Sequence, residues 1–281
     1  MIETIYIEKK IKNHPRTKFI LKKFKKARIL EIDKYAEIFN KRNQNFRIQK
    51  ANPNLILAHK NDGFVLPAPD GFGIGSSENF YFSHMYNCIY DCRYCFLQGM
   101  FSSANYVIFV NFEDFDTSIK NVINKNINSK TTFFSGYDCD SLALENVTGF
   151  AKHILPLFQQ YPEVDIEFRT KSIQREPFMS IEPMKNVIMA YSLMPDLMSS
   201  SLDNKVPSIS KRIQAISDLA LRGWKIGLRF DPLIHGEDWK SLYENLLEKV
   251  YNSIPLESIH SVSVGPLRFP KKMFKDILKL Y

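Results

Sequence analysis

The sequence predicts an α/β protein: a partial, TIM-like (β/α) barrel preceded by a basic N-terminal extension. Three observations carry that expectation. Beyond residue 75, strand-like runs alternate with helix-like ones, the pattern of βαβ units and a parallel sheet. Three cysteines, Cys88, Cys92 and Cys95, fall within eight positions directly after the first of those strands. Positive charge is concentrated in the first 60 residues.

The N-terminal extension is read from charge. Residues 1–60 hold 16 Lys and Arg against 5 Asp and Glu, a balance of +11, which leaves the other 221 residues at −3. A basic segment on a near-neutral body suggests a polyanionic partner, DNA first. A general richness in Lys, Asn and Ile explains part of that excess equally well. Within the segment, RTKFILKKFKKAR (16–28) reads as a short amphipathic helix with Phe19, Ile20 and Phe24 on one side. NDGFVLPAPDGFGIGSS (61–77) is dense in Gly, Pro, Asp and Ser and reads as a linker. It divides a basic segment, 1–75, from a barrel domain, 76–281.

The barrel strands are expected at Asn79–Ser83, Tyr106–Asn111, Thr131–Ser135, Val164–Arg169, Asn186–Ser192, Lys225–Phe230 and His260–Val264. Helices are expected near 115–125, 144–160, 208–222, 239–251 and 270–280. Such units close by right-handed crossovers and carry their chemistry at the C-terminal strand ends. The cysteine loop follows the first strand, where a catalytic loop belongs.

A chain of 281 residues with 44% hydrophobic and 13% aromatic content can bury a real core and is not a disordered sequence. No apolar run approaches the ~18 residues that span a bilayer. The start, MIETIYIEKKIKNHPRTKF, has neither an apolar h-region nor a small-residue cleavage site. No membrane partner and a cytoplasmic location are therefore expected, where thiols stay reduced and clustered cysteines point to metal or catalysis.

The loop NCIYDCRYCFLQGMF (87–101) spaces its thiols C-x3-C-x2-C. Zinc sites pair two C-x2-C units, or one unit with two histidines, and no second unit exists here, although His84 could complete a Cys3His set. A disulfide would leave an odd cysteine, and a thioredoxin-type C-x-x-C would not explain the third thiol. Three thiolates suit a [4Fe–4S] cluster with one iron left open to a substrate or cofactor. Asp91 is the sole carboxylate of the loop, and the aromatic Tyr94 precedes the third cysteine.

This motif, after the first strand of a (β/α) array, resembles that of radical S-adenosylmethionine (radical SAM) enzymes. In those, the open iron chelates S-adenosylmethionine, and one-electron reduction yields a 5′-deoxyadenosyl radical. The resemblance implies a radical SAM type of barrel and an electron donor such as flavodoxin or ferredoxin. Further stretches resemble one branch, the spore photoproduct lyase family. They are YIEKK, LILAHK (55–60), DSLALENVTGF (140–150), IEFRTKS (166–172), AYSLMP (190–195), SISKRIQAISDLALRGWKIGLRFDPLIHGEDW (208–239) and RFPKKMFK (268–275). Members cleave the bond joining two thymines in a UV photoproduct of DNA: a hydrogen atom is removed, the bond breaks, and a hydrogen atom is returned.

Carried over by position, the resemblance implies that Cys88, Cys92 and Cys95 bind the cluster and that Lys171 and Ser192 contact S-adenosylmethionine. Tyr94 matches a tyrosine near the cofactor. The family returns the hydrogen atom from a further cysteine some fifty residues on, and Cys139 lies 51 residues after Cys88. Alignment on Asp140 and Leu142 instead puts Tyr137 in that slot, with Cys139 two residues beyond. Phe96 also departs from the family, which carries tyrosine after the third cysteine. Arg229 and Asp231, with His235 beyond, close another strand and could contact substrate or form a structural pair. The tail PLRFPKKMFK (266–275), basic with Phe269 and Phe274, suits phosphate contact with base stacking, or a helix packed on the barrel. A lesion within a duplex would have to be flipped out to reach a barrel mouth.

The expected activity is therefore a radical SAM lyase repairing thymine photoproducts. The alternatives are the same radical generator acting on another modified nucleobase, and a non-enzymatic nucleic-acid-binding protein with a structural metal.

Overall fold

A computed structural model describes residues 2–267, 274–275 and 278–279 of the chain. The N-terminal part runs β1 (Thr4–Glu8), α1 (Pro15–Leu21), β2 (Arg28–Ile32), α2 (Phe46–Ala51) and β3 (Leu55–Ala58). Helix α1 starts where its sequence invites a start: Pro15 takes the first position and His14 Nδ1 accepts from Arg16 N at 3.2 Å. It ends at Leu21, short of the expected 28. Lysines at 22, 23, 25 and 26 offer no further apolar stripe, and Arg28 N instead bonds Glu3 O at 2.8 Å to begin β2.

The chain continues through β4 (Leu66–Pro67), β5 (Glu78–Phe82), β6 (Met85–Tyr86), β7 (Asp91–Cys92), α3 (Leu97–Met100), β8 (Tyr106–Phe109), α4 (Phe112–Lys125) and β9 (Thr131–Ser135). Then come α5 (Glu145–Thr148), α6 (Phe150–Gln159), β10 (Asp165–Thr170), β11 (Val187–Ser192), α7 (Asp196–Leu202), β12 (Asp203–Asn204), α8 (Ile209–Arg222), β13 (Lys225–Leu233), α9 (Trp239–Tyr251) and β14 (Ile259–Pro266).

The larger sheet has the order β14-β13-β11-β10-β9-β5-β4. Its strands from β5 to β14 are parallel, and β4 pairs antiparallel at the edge. This is the parallel, helix-covered sheet of a partial barrel. Six of the seven expected strands lie in it. The seventh, β8, joins a second sheet of order β2-β1-β3-β8-β6, with Leu55 opposite Tyr106. All four residues of β3, LILA, are buried, and the N-terminal strands thereby share a sheet with a strand from the body of the chain.

Alternation along the strands sets what faces inward. On β10, Ile166 and Phe168 join the apolar core beneath the helices, while Glu167 and Arg169 point to the other side. The helix expected over 144–160 divides at Gly149, whose φ of +64° is a left-handed turn that a continuous helix does not contain. The helix expected over 270–280, and Phe269 of the basic tail, fall outside the described residues apart from 274–275 and 278–279. Among the described residues no helix is long and apolar enough to cross a membrane.

Candidate active site

The cysteine loop leaves the end of the first barrel strand and is tied down at each step. Asn87, at φ +65°, donates its side-chain amide to Ser103 O and Asn105 O at 2.7 and 2.8 Å. Lys50 donates to Cys88 O, and Gln98 to Cys92 O. Arg47 grips both oxygens of Asp91 at 3.0 and 2.9 Å and also donates to Gln98 Oε1 at 3.0 Å. Asp91 is thereby committed to a bidentate pair, which leaves the loop with thiols as its available donors. The two-residue β7 pairs with β12, bringing Cys92 opposite Asp203, and Arg93 N bonds Leu202 O at 2.9 Å.

A cavity of about 610 Å³ opens against this loop, within the size range of small-molecule sites. Eight of the residues singled out from the sequence line it: Cys88, Cys92, Cys95, Tyr94, Tyr137, Cys139, Lys171 and Ser192. They arrive from the cysteine loop, the turn after β9, the end of β10 and the end of β11, so the cavity sits at the C-terminal strand ends.

The four cysteines are free thiols. Burial pushes the Cys88 thiol up to about 12, with Asp140 adding to it and Lys50 opposing. Burial likewise raises Cys92 and Cys95, with Lys171 acting the other way on both. Burial thus disfavours the three thiolates, and a bound metal would supply the positive charge that favours them. Burial alone would lower the Lys171 pKa, but the neighbouring Cys92 and Asp203 turn it upward. The Lys171 ammonium lies 5.3 Å from the Tyr94 ring centroid, a cation–π contact.

Tyr94 is placed by a network that the sequence reading missed. Its hydroxyl donates to Asp203 Oδ1, while Asp203 Oδ2 accepts from Arg212 Nη2 at 2.8 Å and from Ser199 Oγ at 3.2 Å. Arg212, fully buried, also donates to Ser192 O at 2.9 Å. One buried ion pair thus connects the cysteine loop to the end of β11. Arg212 did leave a signal: it interrupts the apolar stripe Ile209, Ile216, Leu219 of its helix, and a charge there needs a buried partner. Asp203 left none for its contact with the cysteine loop, because Tyr94 is 109 residues away.

On the opposite wall the turn after β9 is fixed by Asp140. Its carboxylate accepts from Thr170 Oγ1 (2.6 Å) and from the backbone N–H of Leu142 (3.0 Å), Ala143 (2.8 Å) and Lys171 (2.7 Å). Tyr137 joins an aromatic group, with ring centroids 4.3 Å from Tyr81, 5.6 Å from Phe96 and 6.3 Å from Phe72. Cys139 lies deeper, packed in the apolar cluster that includes Met85 and Val147. Burial raises the Cys139 thiol well above its ordinary value.

Two sequence expectations are corrected. His84 does not complete a zinc site: its ring stacks on Phe150 at 4.2 Å in the core, where burial pushes its pKa down to about 3. Arg229 does not pair with Asp231. It turns into the barrel and bonds Glu167 at 2.7 and 3.1 Å, whereas Asp231 lines the cavity and His235 packs on Trp239 at 5.8 Å.

The donor set fits an iron–sulfur cluster. Among the described residues no three His, Cys, Asp or Glu groups converge on a single metal ion. Cys88, Cys92 and Cys95 line one cavity and would hold a [4Fe–4S] cluster as its thiolate ligands.

Residues 72–280 match the family model described as Spore photoproduct lyase. The chain is 21% identical over 286 residues to a spore photoproduct lyase of Clostridium acetobutylicum, covering 100% of this chain and 83% of that one. It is 23% identical over 197 residues to one of Bacillus subtilis, covering 69% of this chain and 58% of the relative. Among solved structures, a mutant spore photoproduct lyase with bound AdoMet and dinucleoside spore photoproduct matches with a TM-score of 0.87 at 16% identity, covering 100% of this chain and 83% of that one. That likeness shows the fold.

Proposed function

The chain belongs to the spore photoproduct lyase family, and from that premise we propose that it is a radical SAM lyase that restores thymines from UV photoproducts in DNA. One observation carries the reading: three loop thiols, a fourth thiol, Lys171 and Ser192 line a single cavity at the strand ends. Cys88, Cys92 and Cys95 would hold a [4Fe–4S] cluster, and Lys171, Ser192 and Tyr94 would border S-adenosylmethionine. When bound, these two groups supply a 5′-deoxyadenosyl radical that takes a hydrogen atom from an unactivated carbon.

The chain's own residues do the rest. The aromatic wall of Phe72, Tyr81, Phe96 and Tyr137 excludes water and offers flat faces to bases. Lys171 is kept charged by Asp203 and supplies a cation where carboxylate or ribose oxygens would lie. The cavity groups with a transferable hydrogen include the Cys139 S–H and the Tyr137 O–H, both kept protonated by burial. We assign the return of the hydrogen atom to Cys139, because a thiol S–H is weak enough to yield its hydrogen to a carbon radical. DNA is the proposed partner and a flavodoxin or ferredoxin the proposed electron donor. The basic N-terminal segment favours the polyanion, and a cytoplasmic location fits the reduced thiols.

The test is an oligonucleotide carrying the photoproduct, incubated anaerobically with the reconstituted protein, S-adenosylmethionine and dithionite. Restored thymine is expected. Cofactor cleavage without thymine would favour another modified nucleobase as substrate. Cys139→Ala should stall or divert the products, and an unchanged thymine yield would remove Cys139 from the mechanism and leave Tyr137.

A further inference from the structure

Arg169 presents the cavity with a guanidinium that the reading above does not use. It shares a face of β10 with Glu167, and Arg169 Nε donates to Glu167 Oε1 at 2.9 Å. Glu167 is fully buried and is held from its other side by Arg229, also fully buried. Arg229 in turn donates to Ser261 Oγ at 2.9 Å and Ser261 O at 3.2 Å on β14. One carboxylate therefore serves two guanidiniums, and the column carries one positive charge with no counter-charge.

That charge has one way out. The Arg169 side chain keeps 32% of its surface exposed and lines the cavity. Neither of its Nη groups has a partner among the described residues. The neighbouring charges are engaged or apart: Lys171 lies over Tyr94, Asp140 is saturated by four donors, and no ion pair joins Arg169 to Asp231. A guanidinium fixed through Nε, with both Nη groups open, is a fork shaped for a phosphate or carboxylate. The column runs from β10 toward β13 and β14, the side of the sheet opposite the cysteine loop that follows β5.

Resting on the photolesion reading of this cavity, we infer that Arg169 binds the phosphodiester joining the two nucleosides of the lesion. The protein then prefers a phosphate-linked dinucleotide over the free dinucleoside. Glu167 and Arg229 set the angle of the fork and touch no ligand.

The experiment compares affinities by calorimetry, using the full-length, anaerobically reconstituted protein. The probes are the photoproduct dinucleoside with and without its linking phosphate, and inorganic phosphate followed by phosphorus NMR. The native protein should bind the phosphate-linked probe about tenfold more tightly, the scale of one charge-assisted bidentate contact. Arg169→Gln should narrow the preference to within about twofold while leaving the dinucleoside affinity in place. Arg169→Lys keeps the charge and the Glu167 pair but not the fork; its intermediate preference would separate a lost contact from a misfolded protein. Equal binding of both probes by the native protein, or a preference surviving in Arg169→Gln, would overturn the proposal and leave the photolesion reading intact. Arg169-dependent phosphate binding with neither photoproduct bound would instead overturn the substrate assignment on which the proposal rests.

Discussion

Replacing Asp203 with asparagine tests the buried link between the cysteine loop and the barrel. The side chains of Arg212 and Asp203 are 0% and 1% exposed, with their charged atoms 2.8 Å apart. Asparagine preserves shape but leaves the Arg212 guanidinium buried without its counter-charge, and Arg212 cannot retreat because it also donates to Ser192 O and Pro207 O. Removing one partner of a buried pair costs about 3–5 kcal/mol. For a chain of this size each kcal/mol corresponds to roughly 2–4 °C, so melting should fall by roughly 6–20 °C. The substitution also replaces the charged acceptor of the Tyr94 hydroxyl, so the loop should take up less iron and sulfide on reconstitution. Thermal unfolding by circular dichroism, with iron and sulfide per chain, reads both effects. The double variant Asp203→Leu/Arg212→Leu, which removes both charges, should recover part of the lost stability. A melting temperature for Asp203→Asn within about 2 °C of the native value would refute the assignment of this pair as the link.

Three further outcomes follow from other buried groups. Neutral His84, with a folded pKa near 3 against 6.5 unfolded, contributes stability that is complete above pH 6.5. It is lost as the pH falls toward 3, at up to about 1.4 kcal/mol per pH unit, and His84→Phe should flatten that part of a urea-unfolding pH series. Glu167→Gln leaves two guanidiniums without their carboxylate and should cost about 3–5 kcal/mol in the same assay, whereas Arg169→Gln should cost less because Arg169 reaches solvent. Gly136 sits at φ +76°, and a Cβ there would lie 2.8 Å from Ser141 N, so Gly136→Ala should displace the turn that carries Tyr137 and Cys139. A native-like melt together with native reactivity of Cys139 toward a thiol reagent would contradict that expectation.

The barrel was legible because its strands obey simple rules. TTFFS and VIMAYS are mostly apolar, β-branched or aromatic, and the strands alternate with amphipathic helices ending at Gly or Asn. The cysteine loop was legible because its spacing is local. The N-terminal sheet was not: TIYIE is bounded by charges and LILA is short, and they are strands because they pair with each other, TIYIE also with β2 and LILA also with β8. Nor were Asp203, Glu167 and Asp140 identifiable as site supports. Each joins its near neighbours to a partner 30 to 109 residues away, and no local pattern encodes that second contact. Arg229 shows the converse limit. A charge at a strand end reads as a ligand contact, yet here the side chain turns down to a buried glutamate.

The most direct measurement is the yield of 5′-deoxyadenosine from the anaerobically reconstituted protein given S-adenosylmethionine and dithionite, beside Cys88→Ala, Cys92→Ala and Cys95→Ala. The account predicts a brown protein that makes deoxyadenosine, and three variants that make none. A colourless, zinc-filled protein with no product would contradict it, and would make the loop a structural metal site.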